Sequence, residues 1–193
     1  INSERGLLYA IDINSGDQLW QTPFVADGRT WNAPTISGDT AYIGTLSGKI
    51  YSIDFDRTGF TVNNNWNFKA GAGIGSITLD KDVMFIASFD NKLYAINKNN
   101  AESIWEQPFE GENWFWAAPV IFEDRLFVPS LDHNLYILDK NSGRNISDPI
   151  KTGGAIRGSA ALTEDMVFFA NEEGETWWLD PTNLNSDAGG KLP

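Results

Sequence analysis

The chain has 193 residues, 26 acidic against 14 basic side chains and a net charge of −12, with 41% apolar and 13% aromatic content. Such acidity repels a nucleic-acid backbone, and apolar runs of about five residues fall far short of the roughly 20 that a membrane-crossing helix needs. With no cysteine and a single histidine, His133, the sequence excludes disulfides, thiolate metal sites, cysteine nucleophiles and multi-histidine centres.

The first predicted element is LYAID at 8–12, and it returns as IYSID at 50–54, LYAIN at 93–97, LYILD at 135–139 and TWWLD at 176–180. The aromatics at their second positions, Tyr9, Tyr51, Tyr94, Tyr136 and Trp177, are spaced by 42, 43, 42 and 41 residues. A period near 42 suits four-stranded propeller blades and also two-helix repeats, so strand chemistry must decide between them. Twelve residues before four of these aromatics stand Asp39, Asp82, Asp124 and Asp165, each in a turn-forming stretch. From each turn a β-branched or aromatic segment (AYIG, MFIAS, LFVPS, VFFAN) leads to a polar hinge (LSGK, FDNK, LDHN, EEGE). These are hairpins, and no helical spacing of apolar residues holds in any of them. His133 shares its hinge position with Gly48, Asn91 and Gly174, which predicts a positive φ and a backbone role.

In chain order the units are a partial blade at 1–24 with strands C and D, blades at 33–68, 76–109 and 118–150, and a partial blade at 159–180 with strands A to C. In the 33–68 unit, strand A covers 33–37, B 40–45, C 49–55, and D lies around Trp66, displaced by four extra residues within DRTGFTVNNN. Trp20, Trp66 and Trp105 are placed on strand D to dock one blade on the next, because a lone four-stranded sheet cannot bury both faces. The 118–150 unit has Ile146 and Ser147 where such a Trp is expected.

The pattern A-x-D-x-x-x-G-x-x-x-W formed by Ala10, Asp12, Gly16 and Trp20, with a relative at Ala95, Asn97 and Trp105, resembles the tryptophan-docking repeat of the quinoprotein-like propellers. The resemblance covers nearly the whole chain. That family spans pyrroloquinoline-quinone alcohol dehydrogenases and non-enzymatic scaffolds, and this chain is closest in character to the scaffolds of outer-membrane assembly. It implies an all-β propeller of four-stranded antiparallel blades, here about 4 to 5 repeats of ~42 residues. Because the family commonly closes with eight blades, the chain is expected to be a segment of a larger ring. The alternatives are two self-associating copies that complete one ring, or a small ring with a surplus strand.

Three residues before strand A lie Trp31, Ile74, Trp116 and Arg157, which in a propeller should border the axial funnel, with Trp114 and Phe115 thickening that ring. Exposed Trp and Arg on loops are typical of binding hot spots, although Trp31 and Trp116 could equally plug gaps between blades. DINSGD at 12–17 and DKNSGR at 139–144 alternate oxygen ligands like faint Ca²⁺ loops, yet they are already required as the turns between strands C and D.

The expected function is therefore a non-catalytic scaffold that binds a protein partner through its loops and funnel, with no nucleic acid, no membrane insertion, no catalytic residue, no metal and no cofactor. The rival readings are a quinone-dependent dehydrogenase fragment carrying pyrroloquinoline quinone with Ca²⁺, and a small-ligand or carbohydrate binder stacking on Trp31, Trp114 and Trp116. The dehydrogenases share a vicinal cysteine pair that this chain lacks. Export, to the periplasm, cell surface or beyond, is implied by the resemblance alone.

Overall fold

In a computed structural model, residues 3–183 and 189–192 are described. The described strands, numbered in chain order, form five successive antiparallel sheets. The first pairs β1 (Leu7–Leu8) with β2 (Phe24–Val25), and an isolated bridge joins Ile11 to Gln18. The second orders β3 (Thr35–Ser37), β4 (Thr40–Gly44), β5 (Lys49–Phe55) and β6 (Phe60–Val62), with β7 (Phe68–Lys69) also on β5. The third orders β8 (Ile74–Asp80), β9 (Val83–Ser88), β10 (Lys92–Asn97) and β11 (Phe109–Glu110). The fourth orders β12 (Val120–Phe122), β13 (Arg125–Pro129), β14 (Asn134–Asp139) and β15 (Ile150–Lys151). The fifth orders β16 (Ala161–Leu162), β17 (Val167–Ala170), β18 (Thr176–Leu179) and β19 (Gly189–Lys191).

Two details depart from the strand expectations. In the second sheet, strand D is split: β6 pairs with the far end of β5 and β7 with its near end, and Trp66 sits in the loop between them rather than within a strand. The four extra residues are absorbed by lengthening the β5–β6 hairpin. The fifth sheet gains a fourth strand, β19, along Trp177, Trp178 and Leu179, beyond the three strands read at 159–180. Two of its three residues are Gly, which supply no side chain to read as a strand.

Strands B and C are the most deeply buried elements, and one apolar cluster lies between each pair of successive sheets. Leu8, Trp20 and Phe24 pack on Ile53 and Tyr51 at the first joint, and Trp66 packs with Met84, Ile86 and Ile96 at the second. Trp105 packs with Leu126 and Leu138 at the third, whereas Phe127 and Ile137 meet Val167 and Leu179 at the fourth. Each sheet is thus too thin to fold alone and completes its core only against its neighbours.

The three docking indoles are bonded as well as buried. Trp20 Nε1 donates to the Asp56 carbonyl at 2.9 Å, Trp66 Nε1 to Lys98 at 2.6 Å and Trp105 Nε1 to Lys140 at 2.9 Å. Each acceptor begins the turn after strand C of the next sheet, so the indole satisfies a main-chain carbonyl while covering apolar surface. Trp20 reaches one residue further along than the others because the long β5–β6 hairpin presents Phe55 and Phe60 to its ring, with centroids 6.3 and 5.0 Å away. The hinge between strands B and C has positive φ at Gly48 (86°), Asn91 (65°), His133 (71°) and Gly174 (80°), the backbone role the repeat assigns to His133.

Candidate functional site

The segments that enter each strand A are held on two sides. The N–H groups of Ile74, Phe115 and Ile156 donate to the carbonyls of Thr45, Ser88 and Ser130 at the end of strand B of the sheet behind, at 3.0, 3.2 and 3.0 Å. The carbonyls of Arg29, Gly73, Trp114 and Ala155 accept from Leu46, Phe89, Leu131 and Glu172 in the sheet ahead, at 2.8 to 3.1 Å. These repeated bonds make Thr30, Ile74, Phe115 and Ile156 one register row, and all four are buried. The next row is Trp31, Gly75, Trp116 and Arg157.

Two of the funnel residues expected from sequence are thereby corrected. Ile74 does not line an opening: its side chain is fully buried with Tyr42, Trp66 and Met84. In this unit three residues separate the row from its strand-A anchor Ile77, against four from Thr30 to Pro34, Phe115 to Pro119 and Ile156 to Ala160, so Gly75 falls in the next row; the β8–β9 register also slips between Ile74 and Ser76. Phe115 is likewise fully buried, edge-on to Tyr136 with centroids 6.0 Å apart. Trp31, Trp114, Trp116 and Arg157 remain at the surface, and Trp31 and Trp114 are 50% and 44% exposed.

These surface residues come together through Phe89, the first residue of the hinge FDNK. Phe89 stacks on Trp114 and on Trp116, in both cases with centroids 5.0 Å apart and planes 25° from parallel. Trp31 lies 5.5 Å from Trp116 and 6.5 Å from Phe89, closing a continuous four-ring ladder. Gly75 makes the room, because a Cβ there would fall 2.5 Å from the Phe115 carbonyl oxygen and 3.0 Å from the Phe89 ring. Against the inner ring Trp116 the Arg157 guanidinium lies 5.1 Å from the centroid, and its Nε donates to Glu172 Oε1 at 2.6 Å. The ladder is therefore flanked by a cation whose charge is matched by a neighbouring carboxylate.

Beside the ladder, the hinges are pinned by two equivalent Tyr–Asp pairs. Tyr94 donates to Asp90 Oδ2 at 2.5 Å, and that carboxylate also accepts the Gly71 N–H at 2.7 Å. Tyr136 donates to Asp132 Oδ2 at 2.7 Å, which also accepts the Glu112 N–H at 3.0 Å. Burial first, and then the bonded carboxylate, pushes the Tyr136 hydroxyl up to about 12 and the Tyr94 hydroxyl further above its ordinary value. Both phenols stay protonated as donors at physiological pH, so the loops that carry Phe89 and Trp114 rest on fixed supports.

Elsewhere the acidic turns are occupied by their own backbone. Asp12 Oδ1 accepts the N–H groups of Asn14 and Ser15, and Asp139 Oδ1 accepts both the N–H and the hydroxyl of Ser142. Among the described residues no three His, Asp or Glu side chains converge in a metal-binding group, and no helix is long and apolar enough to cross a membrane.

Four-stranded sheets joined in series by buried indoles, each bonded to the next sheet's turn, define a β-propeller of the tryptophan-docked class. The family model described as outer membrane protein assembly factor BamB matches residues 1–62 and 55–183, and the chain belongs to that family. BamB of Shewanella oneidensis is 29% identical over 109 residues, which is 55% of this chain and 27% of that protein. The crystal structure of BamB from Moraxella catarrhalis matches with a TM-score of 0.75 at 18% identity, covering 99% of this chain and 56% of that one. A computationally designed protein, Ika4, matches with a TM-score of 0.71 at 10% identity over 86% of this chain and 98% of its own. The chain spans about half of the solved BamB and its matched segment about a quarter of the curated one.

Proposed function

We propose that this chain is a non-catalytic propeller scaffold of outer-membrane assembly, working in the periplasm, and that it receives a polypeptide partner on the ladder of Trp31, Phe89, Trp114 and Trp116. Membership of the BamB family and the likeness to its Shewanella relative, an outer-membrane protein assembly factor, support the assembly role. The observation that carries the site is the ladder itself: four rings in contact, Phe89 stacked on Trp114 and Trp116 with Trp31 tilted against them, Trp31 and Trp114 about half open to water, on loops fixed by repeated backbone bonds. Rigid aromatic side chains with little conformational freedom left to lose are what a binding hot spot requires. The Arg157–Glu172 pair at its edge gives the partner one donor and one acceptor to align against.

A photo-crosslinking amino acid at position 114, carried in an intact bacterial envelope, tests this reading against the same probe at the exposed Asn64. Adducts with outer-membrane assembly proteins at 114 and none at 64 support it, while equal labelling at both or none at 114 refutes it. Saturable quenching of Trp fluorescence by a free glycan, lost in Trp116→Ala, would instead assign the ladder to carbohydrate.

A further inference from the structure

Ser147 occupies the docking position of the fourth joint. Leu19, Ile104 and Ile146 donate their N–H groups to Ala10, Ala95 and Ile137 at 2.8, 2.8 and 3.0 Å, which makes Ser147 the counterpart of Trp20 and Trp105. At the third joint Trp105 packs within one cluster with Ala95 and Leu138, whose counterparts at the fourth are Ile137 and Leu179. Where the indole would lie there is instead a cavity of about 390 Å³, bordered by Ile137, Ser147, Ile150, Phe169, Trp177 and Leu179. The indole's hydrogen-bonding task has also been reassigned. The Pro181 carbonyl, counterpart of the Lys98 and Lys140 acceptors, receives Nη1 of Arg125.

We infer that this cavity is a binding site for one flat, neutral aromatic group of indole size. Its walls already fit the purpose at the third joint, where the same positions enclose an indole. An enclosed apolar cavity of about 150 Å³ takes up benzene in water; the space here is larger, partly open to solvent and of mixed polar and apolar lining, and has room for a bicyclic ring. Because Arg125 satisfies the Pro181 carbonyl, the ring needs no donor on that side and binds through apolar contact. Ser147, whose hydroxyl donates to the Asp148 carbonyl at 3.2 Å, and Asp148 border the cavity, and the negative charge of Asp148 disfavours anionic ligands. The aromatic group can arrive as a free molecule or as a Trp side chain of a partner polypeptide. This inference does not depend on the ladder.

The test is titration of the intact chain with indole and, separately, with N-acetyl-tryptophanamide, followed by calorimetry and by backbone amide shifts. Saturable indole binding is expected, with shifts centred on Ile150 and Leu179, and affinity should fall about tenfold or more in Ser147→Trp. Ser147→Phe serves the same purpose if the larger substitution does not fold. Binding of both ligands supports entry of a partner's side chain, and binding of indole alone supports a site for free aromatic molecules. The inference is overturned by absence of saturable binding, by binding undiminished in both variants, or by shifts centred on Trp31 and Trp114.

Discussion

The third and fourth joints of this propeller share their strand register and differ at one docking position. At the third, Trp105 fills the space between sheets and its N–H reaches the Lys140 carbonyl. At the fourth, Ser147 leaves a cavity and Arg125 takes over the carbonyl. The difference separates two tasks that one indole performs together, filling volume and satisfying a main-chain acceptor. The fourth joint retains the second without the first.

Trp105→Ala should break the third joint hardest, costing roughly 3–5 kcal/mol through lost burial and the cavity left behind. Ser147→Ala at the fourth should stay within about 0.5 kcal/mol, since nothing large is removed. Urea unfolding of both variants checks the pair, and equal losses would show that the joints do not differ as described. Gly143→Ala should destabilise by about 1–3 kcal/mol, because φ there is +72° and the added Cβ would lie 2.6 Å from the Trp105 ring. Ser147→Trp should move the other way, raising stability by about 0.5–2 kcal/mol as it fills the cavity, with a matching rise in Tm.

The smallest effect concerns acid. Asp139 opens the turn at the fourth sheet, and the Ser142 hydroxyl and turn N–H groups hold its carboxyl below the usual carboxylate range. A depressed folded-state pKa contributes stability that is complete above the ordinary carboxylate value, about pH 4, and is lost as pH falls through the folded value. Asn97 holds this position in the third sheet and accepts from the Asn99 N–H at 2.8 Å without a charge to titrate. Asp139→Asn should therefore flatten the acid limb of stability measured by urea midpoints between about pH 2 and 5, with little change at neutral pH.

Most of the architecture is legible in the sequence because it rests on short-range chemistry repeated in phase. The alternating strands and the turn aspartates restate the same period, Trp20 and Trp105 keep it across two units, and the missing Trp near 146 and 147 is visible for that reason. What escapes is where the phase slips or the signal is bare. The entry to the third sheet is one residue shorter than the others, which places Ile74 in the buried row, and a fixed offset from Ile77 cannot see it. Phe89 looks like a hinge residue, although its counterparts Leu46, Leu131 and Glu172 are not aromatic, and that contrast was the available clue. Phe115 lies between two surface tryptophans in sequence, but strand-like alternation turns it inward to Tyr136. The ladder is thus half legible: its tryptophans stand out, and the ring that joins them does not.

The docking indoles address main-chain oxygens, not side chains. The receiving positions, Asp56, Lys98 and Lys140, differ in charge and shape, yet each offers the same carbonyl. Substitution at those positions leaves the receiving carbonyl in place. The polar half of each joint therefore tolerates drift there, while the apolar half still depends on the facing side chains of both blades.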